Sequence, residues 1–237
     1  MNKLLFIFML LPILSFAQED KTNDFDTFQK AGNTPIRINF KPGHIGTPYL
    51  YNNWKTGYVI INDSIISSQK KIQFNQETGE LIIGSKNQNG IVITDKSVTG
   101  FAIDKGDNIT SINRHVFAKI NSAQFENSNG TSAFYEVVSN LEQTNYLIKD
   151  VKKYLFDPNK SRGYQTQNSI PQEYKEKVSY FVKNKSGKYI KTKLRKKNVL
   201  KILNDKNSEV NAFILSNKIN FSKEHDVVRV LNYYHKL

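Results

Sequence analysis

Residues 57–103, GYVIINDSIISSQKKIQFNQETGELIIGSKNQNGIVITDKSVTGFAI, read as consecutive β-strands joined by tight turns. Within this run Lys71, Ile72, Gln73, Phe74 and Asn75 alternate polar and apolar, which in extended chain sends Ile72 and Phe74 to one face. Residues 75–79 form a short connection containing Gly79, and Glu80, Leu81, Ile82 and Ile83 resume extended chain. Asn89-Gly90 is the dipeptide best suited to a two-residue hairpin turn, whose central positions both need φ > 0, so a turn is expected there. Ile91-Val92-Ile93 and Phe101-Ala102-Ile103 supply further strands. Hairpins in series make a meander, and a meander this long commits the chain to an antiparallel sheet.

Before the meander, residues 18–34 are polar and aperiodic, a leader. Residues 35–40 alternate and suit a first strand. Residues 41–48 are dense in Pro and Gly and read as a loop. Tyr49, Tyr51 and Trp54 follow. They suit either a plug over one open end of the sheet or an aromatic platform for a sugar or peptide. After the meander, residues 109–120 (with Asn113-Arg114 as a break), 134–138 and 145–156 have strand character. Residues 157–172 read as a long surface loop. Residues 177–182 form another strand, and Ser186-Gly187 turns it back into Tyr189-Ile190-Lys191-Thr192. The period changes near Leu194. Three short helices are expected, with Val199, Leu200 and Leu203 on the first. Val210, Phe213 and Ile214 share a face of a second, capped by Ser208. Val227, Val230, Leu231 and Tyr234 share a face of a third, capped by Ser222. Helices this short need something to pack on.

The expected fold is therefore mainly β, an antiparallel meander arranged as a barrel-like or sandwich-like sheet, with a small C-terminal α-helical segment. The expected division is a signal peptide over 1–17, a flexible leader over 18–34, an antiparallel β domain over 35–194 and a helical segment over 195–237. The signal-peptide reading rests on Lys3, on the apolar run from Leu4 to Phe16, and on Ser15 and Ala17 at the positions that flank a cleavage site. That run is shorter than the roughly 20 residues a bilayer span needs, and Pro12 interrupts it. No later segment is apolar enough to span a membrane, so no transmembrane segment is expected after cleavage. An outer-membrane barrel is not expected either, since its last strand should reach the C-terminus and this chain ends in an amphipathic helix.

The chain has no cysteine, which removes disulfides, thiolate catalysis and Cys-based metal sites. With 15 Phe, 12 Tyr and 1 Trp, aromatic burial must carry much of the core. Charge is uneven. Residues 18–120 carry 12 Lys and Arg against 10 Asp and Glu, whereas residues 121–237 carry 21 against 11. Within 24 positions lie Lys183, Lys185, Lys188, Lys191, Lys193, Arg195, Lys196, Lys197, Lys201 and Lys206, opposed only by Asp205.

The order of features, from Gly46-Thr47-Pro48-Tyr49-Leu50 through the meander to the closing KINFSKEHDVVRVLNYY, resembles a group of exported Bacteroidota proteins with no established function. The resemblance covers most of the mature chain. It implies a cell-envelope protein and carries over no site residue.

No motif points to catalysis or a cofactor, and none is expected. His44 falls in a loop, His115 in a strand-like run, and His225 and His235 in the last helix. The last two are almost three turns apart, too far to share a metal. Asp104 to Asp107 loosely resembles part of a calcium loop but fails its spacing and lacks its terminal Glu. The basic run is the feature that stands out. In a cytosolic protein it would suggest nucleic acid; in an exported one, nucleic acid is not an expected partner, and lipid headgroups, lipopolysaccharide phosphates or acidic glycans are. The candidate anion contacts are Lys188, Lys191, Lys193, Arg195, Lys196 and Lys197. The plainer alternative is a solvated edge hairpin, where lysines discourage edge-to-edge pairing. Three functions follow: a non-catalytic binding or scaffold module engaging an envelope protein, a binder of anionic envelope polymer through residues 183–206, or an enzyme with an unrecognised site.

Overall fold

The computed structural model describes residues 34–37, 43–84, 89–106, 114–128, 130–138, 145–160 and 170–237. The meander is present as β3 (Lys55–Ile61), β4 (Ile65–Ile66), β5 (Lys70–Asn75), β6 (Glu80–Gly84), β7 (Asn89–Val92) and β8 (Val98–Asp104). β1 (Thr34–Arg37) and β2 (His44–Ile45) precede it, and β9 (Arg114–Ile120), β10 (Ala133–Val137), β11 (Leu147–Phe156), β12 (Gln172–Lys183) and β13 (Tyr189–Thr192) follow. All thirteen join one sheet in the order β1-β7-β6-β5-β3-β8-β9-β10-β11-β12-β13, with β4 beside β3 and β2 parallel to β12. The fold is mainly β, and the sheet does not close on itself.

Ile72 and Phe74 do share a buried face. They join Val59, Leu81, Phe101, Ile103 and Phe117 in one core. Its centre is aromatic: Phe101 stacks on Phe117 at 4.5 Å, and Phe74 lies 4.8 Å from Phe117. Each such pair contributes about 0.5–1.5 kcal/mol beyond its area. Gln73, between the two core positions, is also buried, with its amide donating to the Tyr51 carbonyl at 3.2 Å. Alternation predicts a solvent-facing Gln73. The sheet buries it because Tyr49, Trp54 and Ile36 cover the opposite face around Ile82 and Val92.

Asn89-Gly90 is not a turn. Both residues belong to β7, with Gly90 opposite Gly84 and Ile36, and residues 85–88, between β6 and β7, lie outside the described residues. Gly90 is small for packing reasons: a Cβ there would stand 2.5 Å from Ile82 Cγ2 and 3.1 Å from the Trp54 ring. The aromatics Tyr49, Tyr51 and Trp54 are divided between faces, Tyr51 packing on the inner core and the other two outside.

The segment after β2 links parts of the sheet far apart in strand order. His44 and Ile45 pair with Gln172 and Glu173 of β12. A few residues on, Leu50 N–H donates to the Phe74 carbonyl at 2.9 Å and Gln76 N–H to the Pro48 carbonyl at 2.9 Å. Lys153 N–H of β11 reaches the Gln76 carbonyl at 3.2 Å. The sheet is curled until the end of β5 meets β11, without a ladder between them.

On β11 and β12, side chains alternate between two cores. Ile148, Phe181 and Tyr189 pack with Phe125 and Tyr135. Phe125 is held by a capping box in which the Asn121 side chain accepts from Ala123 N–H at 2.9 Å and Gln124 returns an acceptor to Asn121 N–H at 3.0 Å. Leu147 and Val182 face the other way, into α1 (Lys196–Ile202), α2 (Asn207–Ser216) and α3 (Glu224–Lys236). The expected apolar stripes are what these helices bury: Val199 and Leu203, Val210 and Ile214, Val227, Val230, Leu231 and Tyr234. The caps differ from expectation. Lys206 and Lys223 take the cap positions without a side-chain hydrogen bond, so Ser208 lies inside α2 and Ser222 precedes the cap of α3. Among the described residues no helix is long and apolar enough to cross a membrane.

Candidate functional site: a lysine-rimmed groove beside β12

β12 is twelve residues long, and its two edges are covered unequally. β11 pairs along one edge from Glu173 to Val182. On the other edge β13 covers Tyr180 to Lys183 and β2 covers Gln172 and Glu173. Residues 174–179 of that edge have no neighbouring strand among the described residues. Asn184 N–H donates to the Lys188 carbonyl at 2.9 Å, which fixes the hairpin's parity. The main-chain groups of Val182 and Tyr180 point to β13, and by the two-residue repeat those of Val178 and Glu176 point to the uncovered edge. Lys183 N–H donating to the Tyr146 carbonyl at 2.8 Å gives the same parity from the β11 side.

This edge, the end of β13 and α1 enclose a groove of about 870 Å³. Val178, Ile190 and Ile202 give it apolar surface; Lys177, Lys191, Lys193 and Lys201 give it charge; Glu126 is its one acid. Asn184 donates to the Glu126 carboxylate at 3.3 Å. All four lysines are exposed, and the Lys191 ammonium lies 5.9 Å from the Phe181 ring.

Of the six candidates from the sequence, Lys191 and Lys193 line this groove. Lys188 instead donates to the Ala123 carbonyl at 2.5 Å. Arg195 precedes α1, and Lys196 and Lys197 occupy its first turn, exposed and outside the lining. Elsewhere in the basic run, Lys185 pairs with Asp205 at 3.0 Å. Burial pushes the Lys183 ammonium below the usual lysine range. Lys177 and Lys201 were not among the candidates. Lys201 lay within the basic run, but Lys177 lay outside it, and only the uncovered edge of β12 brings it to the others.

A second polar constellation crosses four strands. Glu136 lies opposite Lys149, and Lys149 opposite Tyr180. Glu136 Oε1 stands 2.7 Å from His115 Nδ1, Lys149 Nζ reaches Glu224 at 3.2 Å, and the Tyr180 hydroxyl donates to Glu224 at 2.7 Å. Burial raises the Glu136 pKa, but the hydrogen bond and charge of His115 and the charge of Lys149 outweigh it and hold the carboxyl below its usual range. Burial, then the Glu224 carboxylate, push the Tyr180 phenol well above its usual range. These groups satisfy one another between the inner core and the helical core, and they pin the start of α3 to the sheet.

A smaller cavity of about 310 Å³ lies between the end of β5 and β10–β11, with Phe74, Phe117 and Phe134 beside Lys119 and Asp150. Burial raises the Asp150 pKa, against the lowering influence of Lys152 and Lys191. Two of its hydroxyls are engaged: Thr78 donates to Glu80 at 2.7 Å and Ser132 accepts from Ser122 N–H at 2.9 Å.

Comparison with protein-family profiles, with curated proteins and with solved structures finds no significant match to this chain.

Proposed function

We propose that this chain is an exported, non-catalytic binding module of the cell envelope that holds an anionic partner in the groove beside β12. The observation that carries this reading is the charge of the groove: four exposed lysines against one carboxylate, around an apolar strip. A single exposed ion pair contributes only about 0–1 kcal/mol and is screened within about 10 Å at 0.1 M salt. Useful affinity therefore requires several lysines acting together on one partner, which a groove provides and a scattered surface does not. The signal-peptide pattern of residues 1–17 supports an envelope partner over a nucleic acid.

The test is binding of the full chain to fluorescent sulfated dextran and to vesicles containing anionic lipid, across a series of salt concentrations. Binding that weakens steeply with salt and is lost when Lys191 and Lys193 are changed to Gln supports the proposal. Binding to either probe that is indifferent to both, or no binding to any anionic probe, contradicts it.

A further inference from the structure

We infer that the partner is a protein segment that enters the sheet as an added strand along the uncovered edge of β12, between β13 and β2. This rests on the proposal that the groove is the binding surface, and it specifies what binds there. Three observations carry it. First, the main-chain donors and acceptors of Glu176 and Val178 face the gap and find no hydrogen-bond partner among the described residues. A strand edge in that state is a template for another strand. Second, the gap has the right extent. Residues 174–179 span about 20 Å at the usual rise of a strand. β2 already adds to this edge in parallel, and Gly46, at φ +81°, then leads the chain away past Tyr174.

Third, the two sides of the gap differ in chemistry. Val178 lies four residues before Val182 and shares its face, as does Ile190, which pairs with Val182. Lys177 lies four before Phe181 and shares the face of Lys191, which pairs with Phe181. An added strand therefore presents one set of alternate side chains to Val178, Ile190 and Ile202, and the other set to Lys177 and Lys191. The occupant is an extended segment that alternates apolar and acidic residues.

The probe is a fluorescein-labelled synthetic peptide of alternating valine and aspartate, followed by fluorescence anisotropy with the full chain. Two further versions carry N-methyl groups on alternate amides, one in each register; sulfated dextran serves as a polyanion with no amide backbone. The inference expects the plain peptide to bind. One methylated register should bind at least about tenfold more weakly, because two or more main-chain hydrogen bonds of about 1 kcal/mol each are lost, and the other register should bind nearly as well as the plain peptide. Val178→Pro removes the outward N–H without touching the β11 ladder, so it should weaken the peptide but not sulfated dextran, and should weaken the peptide more than Val178→Ala, which trims the side chain but keeps the N–H. Equal binding of all three peptides, or binding of sulfated dextran without any peptide, overturns strand addition while the electrostatic proposal stands. Absence of binding by every probe overturns both.

Discussion

Lys149 of β11 and Glu224 at the start of α3 are 75 residues apart in sequence and meet at 3.2 Å. Glu136 shares the same ammonium at 3.5 Å, and only 9% of its side chain is exposed. The helical segment is thus fastened to the sheet by charge as well as by its apolar stripe. Lys149→Met should lower stability by about 1–3 kcal/mol, because it removes the cation shared by two carboxylates and leaves Glu136 in place. Lys175→Met, which breaks the exposed pair with Glu173 at 2.9 Å, should change stability by less than about 1 kcal/mol. Urea denaturation of the two variants checks the difference.

Acid should destabilise the fold in two steps. His235 stacks on Tyr146 at 3.8 Å, and burial holds its pKa below the usual histidine value despite a hydrogen bond to the Lys183 carbonyl. Glu136 is also held below its usual range. For both groups the unfolded chain takes up the proton first as pH falls, so stability is lost below the unfolded pKa. The His235 step begins near pH 6.5 and the Glu136 step near pH 4.3, the ordinary values of these side chains. Stability measured against pH should lose its upper step in His235→Phe, which keeps the stacking, and show a shallower lower step in Glu136→Gln, since Asp157, Asp205 and Asp226 are also held below their usual range and remain.

Gly90→Ala tests the packing reason for a glycine in β7. The new Cβ meets Ile82 Cγ2 at 2.5 Å and the Trp54 ring at 3.1 Å. Overpacking of this kind should cost about 1–3 kcal/mol. Trp54 is the chain's one tryptophan, so its emission reports the site directly. A shifted emission with lowered stability is expected; an unchanged spectrum and stability would show that the strand accommodates a methyl group.

Local periodicity made much of this fold legible. Ile72 and Phe74, the Ser186-Gly187 hairpin and the apolar stripes of the three helices follow from side-chain spacing within a few residues. What spacing could not show was what lies on the other face. Gln73 is buried because Tyr49 and Trp54 arrive from another part of the chain, and Gly90 is small because Trp54 packs on it. The far half of β12 is not legible as strand: Gln172 closes the expected 157–172 loop, and residues 173–176 fall in neither that loop nor the expected 177–182 strand, because pairing with β11 rather than local pattern holds them extended. The groove was half legible: Lys191 and Lys193 stand in a conspicuous basic run, but Lys177 joins them only through the strand edge that β13 and β2 leave uncovered. The row from His115 through Glu136 and Lys149 to Glu224 was not legible, since its members share no local pattern.

The central claim is that position on the groove, rather than total basic charge, makes the binding surface. Two variants of equal net charge separate these directly. One changes Lys177, Lys191, Lys193 and Lys201 to Gln; the other changes Lys188, Arg195, Lys196 and Lys197 to Gln. Affinity for sulfated dextran at fixed salt is the measurement. The account predicts that the first variant loses binding at least tenfold more than the second, as roughly 1.4 kcal/mol or more of lost contact would require. Equal losses in the two would contradict it and assign the binding to diffuse charge.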